Sequence, residues 1–275
     1  MATDPRTAIA THELERFGAF ALALADEARR HLLAFCDSGF EATRKDDGSY
    51  VTNADLHIEK QLRAMVEREF PAHGIVGEEL PPRLPAAGYQ WIFDPIDGTE
   101  DFVQQIPTFG TIIGLHYRGE PVAGVIDVPR LHTRGHAVFG RGCFIDGRRV
   151  QLAELAPDTP AEHVRLMLAA RANFARQSAR GGAAFDAVTR DFPNHRIYRT
   201  CYAHLCTVSG QVDAMIEYGN KIWDLAAARI LIEEAGGSYR EVARRETPAG
   251  ALLGAVFGRP ALVARLADML KRLDA

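Results

Sequence analysis

Three large apolar residues, Trp91-Ile92-Phe93, run directly into Asp94-Pro95-Ile96-Asp97-Gly98-Thr99, and few folds can use such a join. Residues 90–93 read as a strand that ends by delivering Asp94. Pro95 stiffens the turn that follows, and Gly98 lets another group come close to the backbone. Asp97 follows three positions after Asp94, so two carboxylates lie close together at this strand end. A helix beginning after Gly98 leaves the Gly98 and Thr99 N–H groups pointing outward, a ready anion cradle. Carboxylates beside such a cradle repel a phosphate unless a cation stands between them. Hard divalent cations prefer oxygen ligands, and Mg²⁺ bridges carboxylates to substrate phosphates. The local chemistry reads as metal plus phosphate. The plainer alternative is an Asp-rich turn whose side chains cap nearby N–H groups.

Other carboxylates also fall at the ends of elements. Thr52-Asn53-Ala54-Asp55 reads as a helix start, with Thr52 as N-cap and Asp55 in the first turn, on a helix running to about Phe70. Ile75 and Val76 form a short strand ending at Gly77, directly before Glu78 and Glu79. Asp224 follows Trp223 and opens a helix over 224–235, closed by Gly236-Gly237. Asp55, Glu78, Asp94, Asp97 and Asp224 can thus converge on one crevice. Clustered, they ionise together only with cations present, because like charges at short range raise one another's pKa.

The rest of the chain supplies layers. Residues 12–35 are an amphipathic helix, with Leu14, Phe17, Ala21, Leu24, Ala28 and Leu32 on one face. Residues 81–88 are a loop, and strands follow over 109–117, 121–128 and 135–145, the first two joined at Arg118-Gly119-Glu120. Beyond residue 150 the reading is strand 164–169, helix 172–190, strand 195–199, helix 201–210, strand 212–217, strand 251–257 and a closing helix from about 260. This mixed α/β pattern lacks the βαβ rhythm of a doubly wound sheet. It implies one compact unit over 1–275 with a weak lobe boundary near 150.

Composition removes other classes. With 47% apolar and 25% charged residues the chain is not disordered. A net charge of −4 is no broad basic footprint, so nucleic acid is not an expected partner. No apolar run approaches the ~18 residues a membrane span needs, and no cleavable leader is visible, which points to the cytoplasm. Cys36, Cys143, Cys201 and Cys206 lack C-x-x-C spacing and read as reduced core thiols. His132 and His136 read as strand residues rather than zinc ligands, His204 as a packed or surface residue, and Gly140-Arg141-Gly142 as a turn. Arg171, Arg176 and Arg180 read as one solvated helix face, with contact to a polyanion as the rival.

Four blocks together resemble the inositol monophosphatase-like family of Mg²⁺-dependent, lithium-sensitive phosphatases: Val51-Thr52-Asn53-Ala54-Asp55, Gly77-Glu78-Glu79, Trp91 to Thr99, and Trp223-Asp224 through Gly237. The resemblance covers about residues 10–257. It implies an αβαβα layered sandwich, a homodimer, two to three Mg²⁺ ions and a small phosphorylated metabolite as substrate. By it, Glu78, Asp94 and the Ile96 carbonyl hold a first ion, and Asp94, Asp97 and Asp224 a second. Asp55 with Glu78 helps a third, weaker ion that activates water. Thr99 assists that water, and the Gly98 and Thr99 amides take the phosphate.

Within the family the chain is most similar to histidinol-phosphate phosphatases. Pro107-Thr108-Phe109-Gly110-Thr111-Ile112-Ile113-Gly114-Leu115, Lys45-Asp46-Asp47-Gly48-Ser49 and Glu217 carry that likeness. It implies histidinol phosphate as substrate, with inositol 1-phosphate as the alternative and nucleotide or fructose bisphosphates further off. Glu217 and Thr200 are the implied substrate contacts. The chain departs from the pattern in having Arg199-Thr200 before Cys201-Tyr202, where Gly-Asp is usual, in Glu100-Asp101 after Thr99, and in Tyr50 where Pro is common. A regulatory or RNA-polymerase-associated protein on the same scaffold is the alternative from another class. The complete ligand set argues against it.

Overall fold

The computed structural model describes residues 4–45, 48–156, 158–248 and 250–274. Asp46 and Asp47 of the Lys45–Ser49 stretch lie outside the described residues. The first half holds α1 (Thr11–Ser38), β1 (Ala42–Arg44), β2 (Tyr50–Thr52), α2 (Asn53–Glu69), β3 (Gly74–Gly77), β4 (Tyr89–Asp97), α3 (Thr99–Val103), β5 (Gly110–Tyr117), β6 (Glu120–Val128), β7 (Thr133–Val138), β8 (Gly142–Ile145) and β9 (Arg148–Val150). The second holds β10 (Leu166–Leu168), α4 (Arg171–Gln177), α5 (Gly181–Asp191), β11 (His195–Ile197), α6 (Cys201–Val208), β12 (Ala214–Asn220), α7 (Ala228–Glu234), β13 (Ser238–Arg245), β14 (Leu252–Gly258) and α8 (Pro260–Asp274).

These elements stack as five layers. The apolar faces of α1 and α2 cover one side of a seven-stranded sheet ordered β3-β4-β5-β6-β7-β8-β9. Helices α6 and α7 fill the middle, between that sheet and a five-stranded one ordered β11-β10-β12-β14-β13. Helices α4, α5 and α8 close the outer face. The order is helix, sheet, helix, sheet, helix, and each interface buries apolar side chains from both neighbours. Among the described residues no helix is long and apolar enough to cross a membrane.

Several element bounds differ from the sequence reading, each for a local reason. β4 does not end at Asp94. It continues to Asp97 with an irregularity between the two, and Asp97 pairs with Gly110. The single strand over 135–145 is two strands, because Gly140 and Gly142 both take positive φ and the Glu234 carboxylate accepts both their N–H groups at 2.7 Å. The helix over 172–190 breaks at Ser178, whose backbone is extended. Gly181 then packs so tightly on the Phe174 carbonyl that no Cβ fits there. The strands β1, β2, β9 and β13 escaped the sequence reading altogether. Of these, β13 carries Arg240, Glu241, Arg244 and Arg245 on a sheet edge, and such charge hides strand periodicity while protecting the edge.

Candidate active site

The site is assembled at element ends around β4. Asp94 is 2% exposed, and its Oδ1 has no hydrogen-bond partner. The irregular stretch after it is fixed from both sides. Thr111 Oγ1 donates to the Pro95 carbonyl at 2.8 Å, and the Cys201 N–H at the start of α6 donates to Asp97 Oδ2. Gly98 follows with φ 77°, in the left-handed region that favours glycine, and a Cβ there would press on Thr200 Cγ2 at 3.2 Å. Thr99 opens α3, and its hydroxyl donates to the Ile96 carbonyl at 2.9 Å.

Asp55 does two jobs. Its Oδ2 accepts from the Thr52 N–H at 2.8 Å and from the Thr52 hydroxyl, while Thr52 caps α2 in return. Its Oδ1 is buried without a partner. Burial raises the Asp55 pKa to about 6 against the hydrogen bonds from Thr52.

Glu78 and Glu79 are held by a residue the sequence reading passed over. Glu59, fully buried on α2, accepts from the Glu79 N–H at 2.8 Å and the Leu80 N–H at 3.2 Å. Arg63, one turn further along α2, pairs with Glu59 at 2.8 Å and donates to the Leu80 carbonyl at 2.9 Å. The Glu59/Arg63 spacing of four was a visible signal for a helical ion pair, but not for what it supports. Gly77 lies against the Glu59 carboxylate, so a Cβ there has no room. Gly77→Ala is expected to lose about 1–3 kcal/mol of stability through overpacking. Urea unfolding checks this, and an unchanged midpoint would refute the tight fit.

Asp224 does not open a regular helix, contrary to expectation. Residues 222–227 form turns, and α7 starts only at Ala228. His116 explains part of this: its Nε2 lies 2.9 Å from the Ala226 carbonyl and bonds it, so the backbone is tied to β5 there. The Asp224 Oδ2 accepts from the Lys221 N–H at 2.8 Å. That turn still carries the carboxylate to the crevice.

Asp94, Asp97 and Asp224 each bring an oxygen within 4.8 Å of the others, and among the described residues they are the one group of this kind. Neither His132 nor His136 joins it. Glu78 and Asp55 lie close enough to raise the Asp94 pKa well above the ordinary carboxylate range, after burial and together with Asp97 and Asp224. Burial likewise lifts Glu78 to about 8, with Lys45 opposing, and Asp97 to about 6, with Asp224 adding to the rise. Such crowding, with buried oxygens left unpaired, is costly unless a cation compensates it. All donors are oxygens, the set that suits a hard divalent ion.

A cavity of about 470 Å³ opens over Glu78, Asp94, Asp97, Thr99 and Asp224. Four cations border it: Lys45, Arg176, Arg199 and Lys221. Lys45 Nζ lies 2.8 Å from both Glu78 and Glu79. Thr200 lines the cavity and its buried hydroxyl has no partner. Glu217 is placed differently from the expectation. It is 1% exposed, beneath the wall rather than on it, next to His204 at 3.2 Å and accepting from Asn220 at 2.8 Å. His204 is packed rather than at the surface. The Arg171, Arg176 and Arg180 face does not exist as such: Arg171 pairs with Asp186 on α5, Arg180 precedes α5, and Arg176 reaches the cavity. The four cysteines are free thiols.

A family model described as the inositol monophosphatase family matches residues 13–270. A bifunctional phosphatase, IMPL2, chloroplastic, of Arabidopsis thaliana is 34% identical over 83% of the chain, which spans 65% of that protein. A histidinol-phosphatase of Mycobacterium tuberculosis is 34% identical over 79% of the chain and 84% of its own length. Among solved structures, an inositol monophosphatase from Zymomonas mobilis superposes with a TM-score of 0.76 at 25% identity, covering 96% of the chain and 100% of that one.

Proposed function

Because the chain belongs to the inositol monophosphatase family and is thereby a phosphoric monoester hydrolase, we propose that it hydrolyses a small phosphate ester with Mg²⁺ held by its clustered carboxylates. The observation that carries this reading is the crowding of Glu78, Asp94, Asp97 and Asp224 on one cavity, with Asp55 buried close enough to influence Asp94 and with oxygens of Asp55 and Asp94 left without a partner. Glu78, Asp94 and the Ile96 carbonyl would hold one ion, Asp94, Asp97 and Asp224 a second, and Asp55 with Glu78 a third. Bound there, such ions lower the pKa of coordinated water and stabilise charge on the attacking and leaving oxygens.

The chain's own groups position the reaction. The Thr99 hydroxyl donates its hydrogen bond to the Ile96 carbonyl, so its oxygen is left to accept from the attacking water and orient it. The Gly98 and Thr99 amides bind phosphate oxygens, and the left-handed Gly98 keeps that cradle free of a side chain. No side-chain nucleophile is required, because phosphoryl transfer is driven mainly by positioning and electrostatics. Lys45, between Glu78 and Glu79, offsets their charge at the mouth.

Two substrates are supported. Similarity to a protein named histidinol-phosphatase supports histidinol phosphate. Inositol 1-phosphate is the second, favoured by the wall, where Glu217 is buried and offers no open carboxylate to an ammonium group. A homodimer is the assembly the family resemblance implies. Chelation with EDTA should cut phosphate release from such esters by more than about a hundredfold, equivalent to ~2.7 kcal/mol, and millimolar Mg²⁺ should restore it. Millimolar Li⁺ should inhibit the restored enzyme. Release that persists in EDTA would sink the metal reading.

A further inference from the structure

Besides Lys45, three further cations border the cavity. Arg199, Arg176 and Lys221 border it together with Thr200, Gly219 and Trp223. Arg199 is held by side chains of the wall. Its Nε donates to Asn220 Oδ1 at 3.0 Å, and its Nη2 lies 3.4 Å from Asp224 Oδ2. Glu217 Oε2 is 4.0 Å from the same Nε. Asn220 also donates to Glu217, and His204 Nε2 lies 3.2 Å from its other oxygen, so both oxygens of that carboxylate face partners within the wall. What this wall offers a ligand is therefore the guanidinium. The Arg199 side chain is 38% exposed, whereas that of Glu217 is 1% exposed.

Arg199 is also close to where a phosphate ester would sit. Its neighbour Thr200 packs against Gly98, the first residue of the phosphate cradle. Gly98, Thr99 and Arg199 line the same cavity, so an ester seated at Gly98 and Thr99 shares it with the guanidinium. A guanidinium carries five donors, and two bonds within the wall leave others for a ligand. Its fork matches carboxylate and phosphate oxygens, while an ammonium there meets a like charge in a half-buried place. The carboxylates on the opposite rim do not cancel this. Asp101 Oδ2 is engaged by Thr108 at 2.6 Å and Tyr198 at 3.3 Å, and Glu100 is exposed, where solvent screens it.

We propose that Arg199 is a specificity-determining residue of this cavity: it selects phosphate esters whose organic part carries a second anionic group and turns away cationic alcohols. The proposal rests on the phosphomonoesterase reading, and it sets aside histidinol phosphate and ranks inositol 1-phosphate below esters with a second anion. The test compares kcat/KM of the Mg²⁺-loaded enzyme on L-histidinol phosphate, inositol 1-phosphate, 3-phosphoglycerate and adenosine 3′,5′-bisphosphate. The intact protein should prefer the better anionic ester over histidinol phosphate by about tenfold or more, the scale of ~1.4 kcal/mol of discrimination. R199G should shift that ratio toward histidinol phosphate by roughly a hundredfold, chiefly through KM, and R199K should keep the preference in sign. The ratio is taken within each variant, so losses of fold or metal loading cancel, and R199Q serves if R199G does not fold. Preference for 3-phosphoglycerate or for the bisphosphate identifies the second anion as carboxylate or phosphate. A wild-type preference for histidinol phosphate, or a ratio unmoved by R199G, overturns the proposal while leaving the phosphatase reading intact. Release from none of the four esters overturns both.

Discussion

Asp94→Asn should reduce phosphate release by about a thousandfold or more while leaving the metal-free fold as stable as before. Asp94 is the carboxylate shared between the first and second of the three proposed ions, and it is influenced by Glu78, Asp97, Asp224 and Asp55. An amide in its place keeps the shape of the side chain but removes the negative charge. A pair of ions stabilises the attacking and leaving oxygens by several kcal/mol, and losing ~4 kcal/mol of that corresponds to about three decades in rate. The fold should not suffer, because the native carboxyl is already pushed toward its neutral form by burial and by its neighbours. Its Oδ1 also makes no hydrogen bond that an amide would break. The measurement pairs kcat/KM with a urea titration of the metal-free protein. Activity within tenfold of wild type would remove Asp94 from the metal site. A large loss of stability would instead make it a structural residue.

How much of this could be read from residues alone depended on range. The Thr52–Asp55 cap was legible because its two partners are three positions apart and use each other's backbone. The strand end before Glu78 was legible because the apolar run stops at charged residues, whereas β4 runs past the expected end at Asp94 to Asp97. Contacts across the fold were hidden. The bond from His116 to the Ala226 carbonyl joins residues 110 positions apart, and nothing near Trp223 announces that the helix will start late. Nothing along α2 marks Glu59, yet it is buried because the turn after β3 lays its N–H groups on it. Arg199 stood out as a departure from the family pattern, but only packing shows that it shields Glu217 and Asp224. Spacing along the chain finds groups that act through their own element. It does not find groups whose role is set by an element arriving from elsewhere.

The same cluster should couple Mg²⁺ binding to stability, with a definite pH direction. In the metal-free fold burial raises Glu78 to about 8, and Asp55 and Asp97 to about 6. Their ordinary values are 4.5 for Glu and 3.8 for Asp. Between those values and the raised ones, the folded chain holds protons that the unfolded chain has released. Stability from these groups is therefore fully present below the ordinary values and falls as pH rises, with the last of it lost as Glu78 ionises near 8. Divalent ions take the place of those protons, so metal affinity rises over the same window. At a Mg²⁺ concentration a hundredfold above its dissociation constant, binding adds ~2.7 kcal/mol, roughly 5–10 °C of Tm for a chain of this size. Thermal melts should show the metal-free Tm falling from pH 6 to pH 8 and the Mg²⁺-induced rise growing over that interval. Asp94→Asn should lose most of the rise at both pH values. A rise that shrinks toward pH 8, or that survives in Asp94→Asn, would mean the ions bind elsewhere. Five carboxylates would then be crowded together with no cation to hold them, which the folded chain could keep only by leaving several of them protonated at neutral pH.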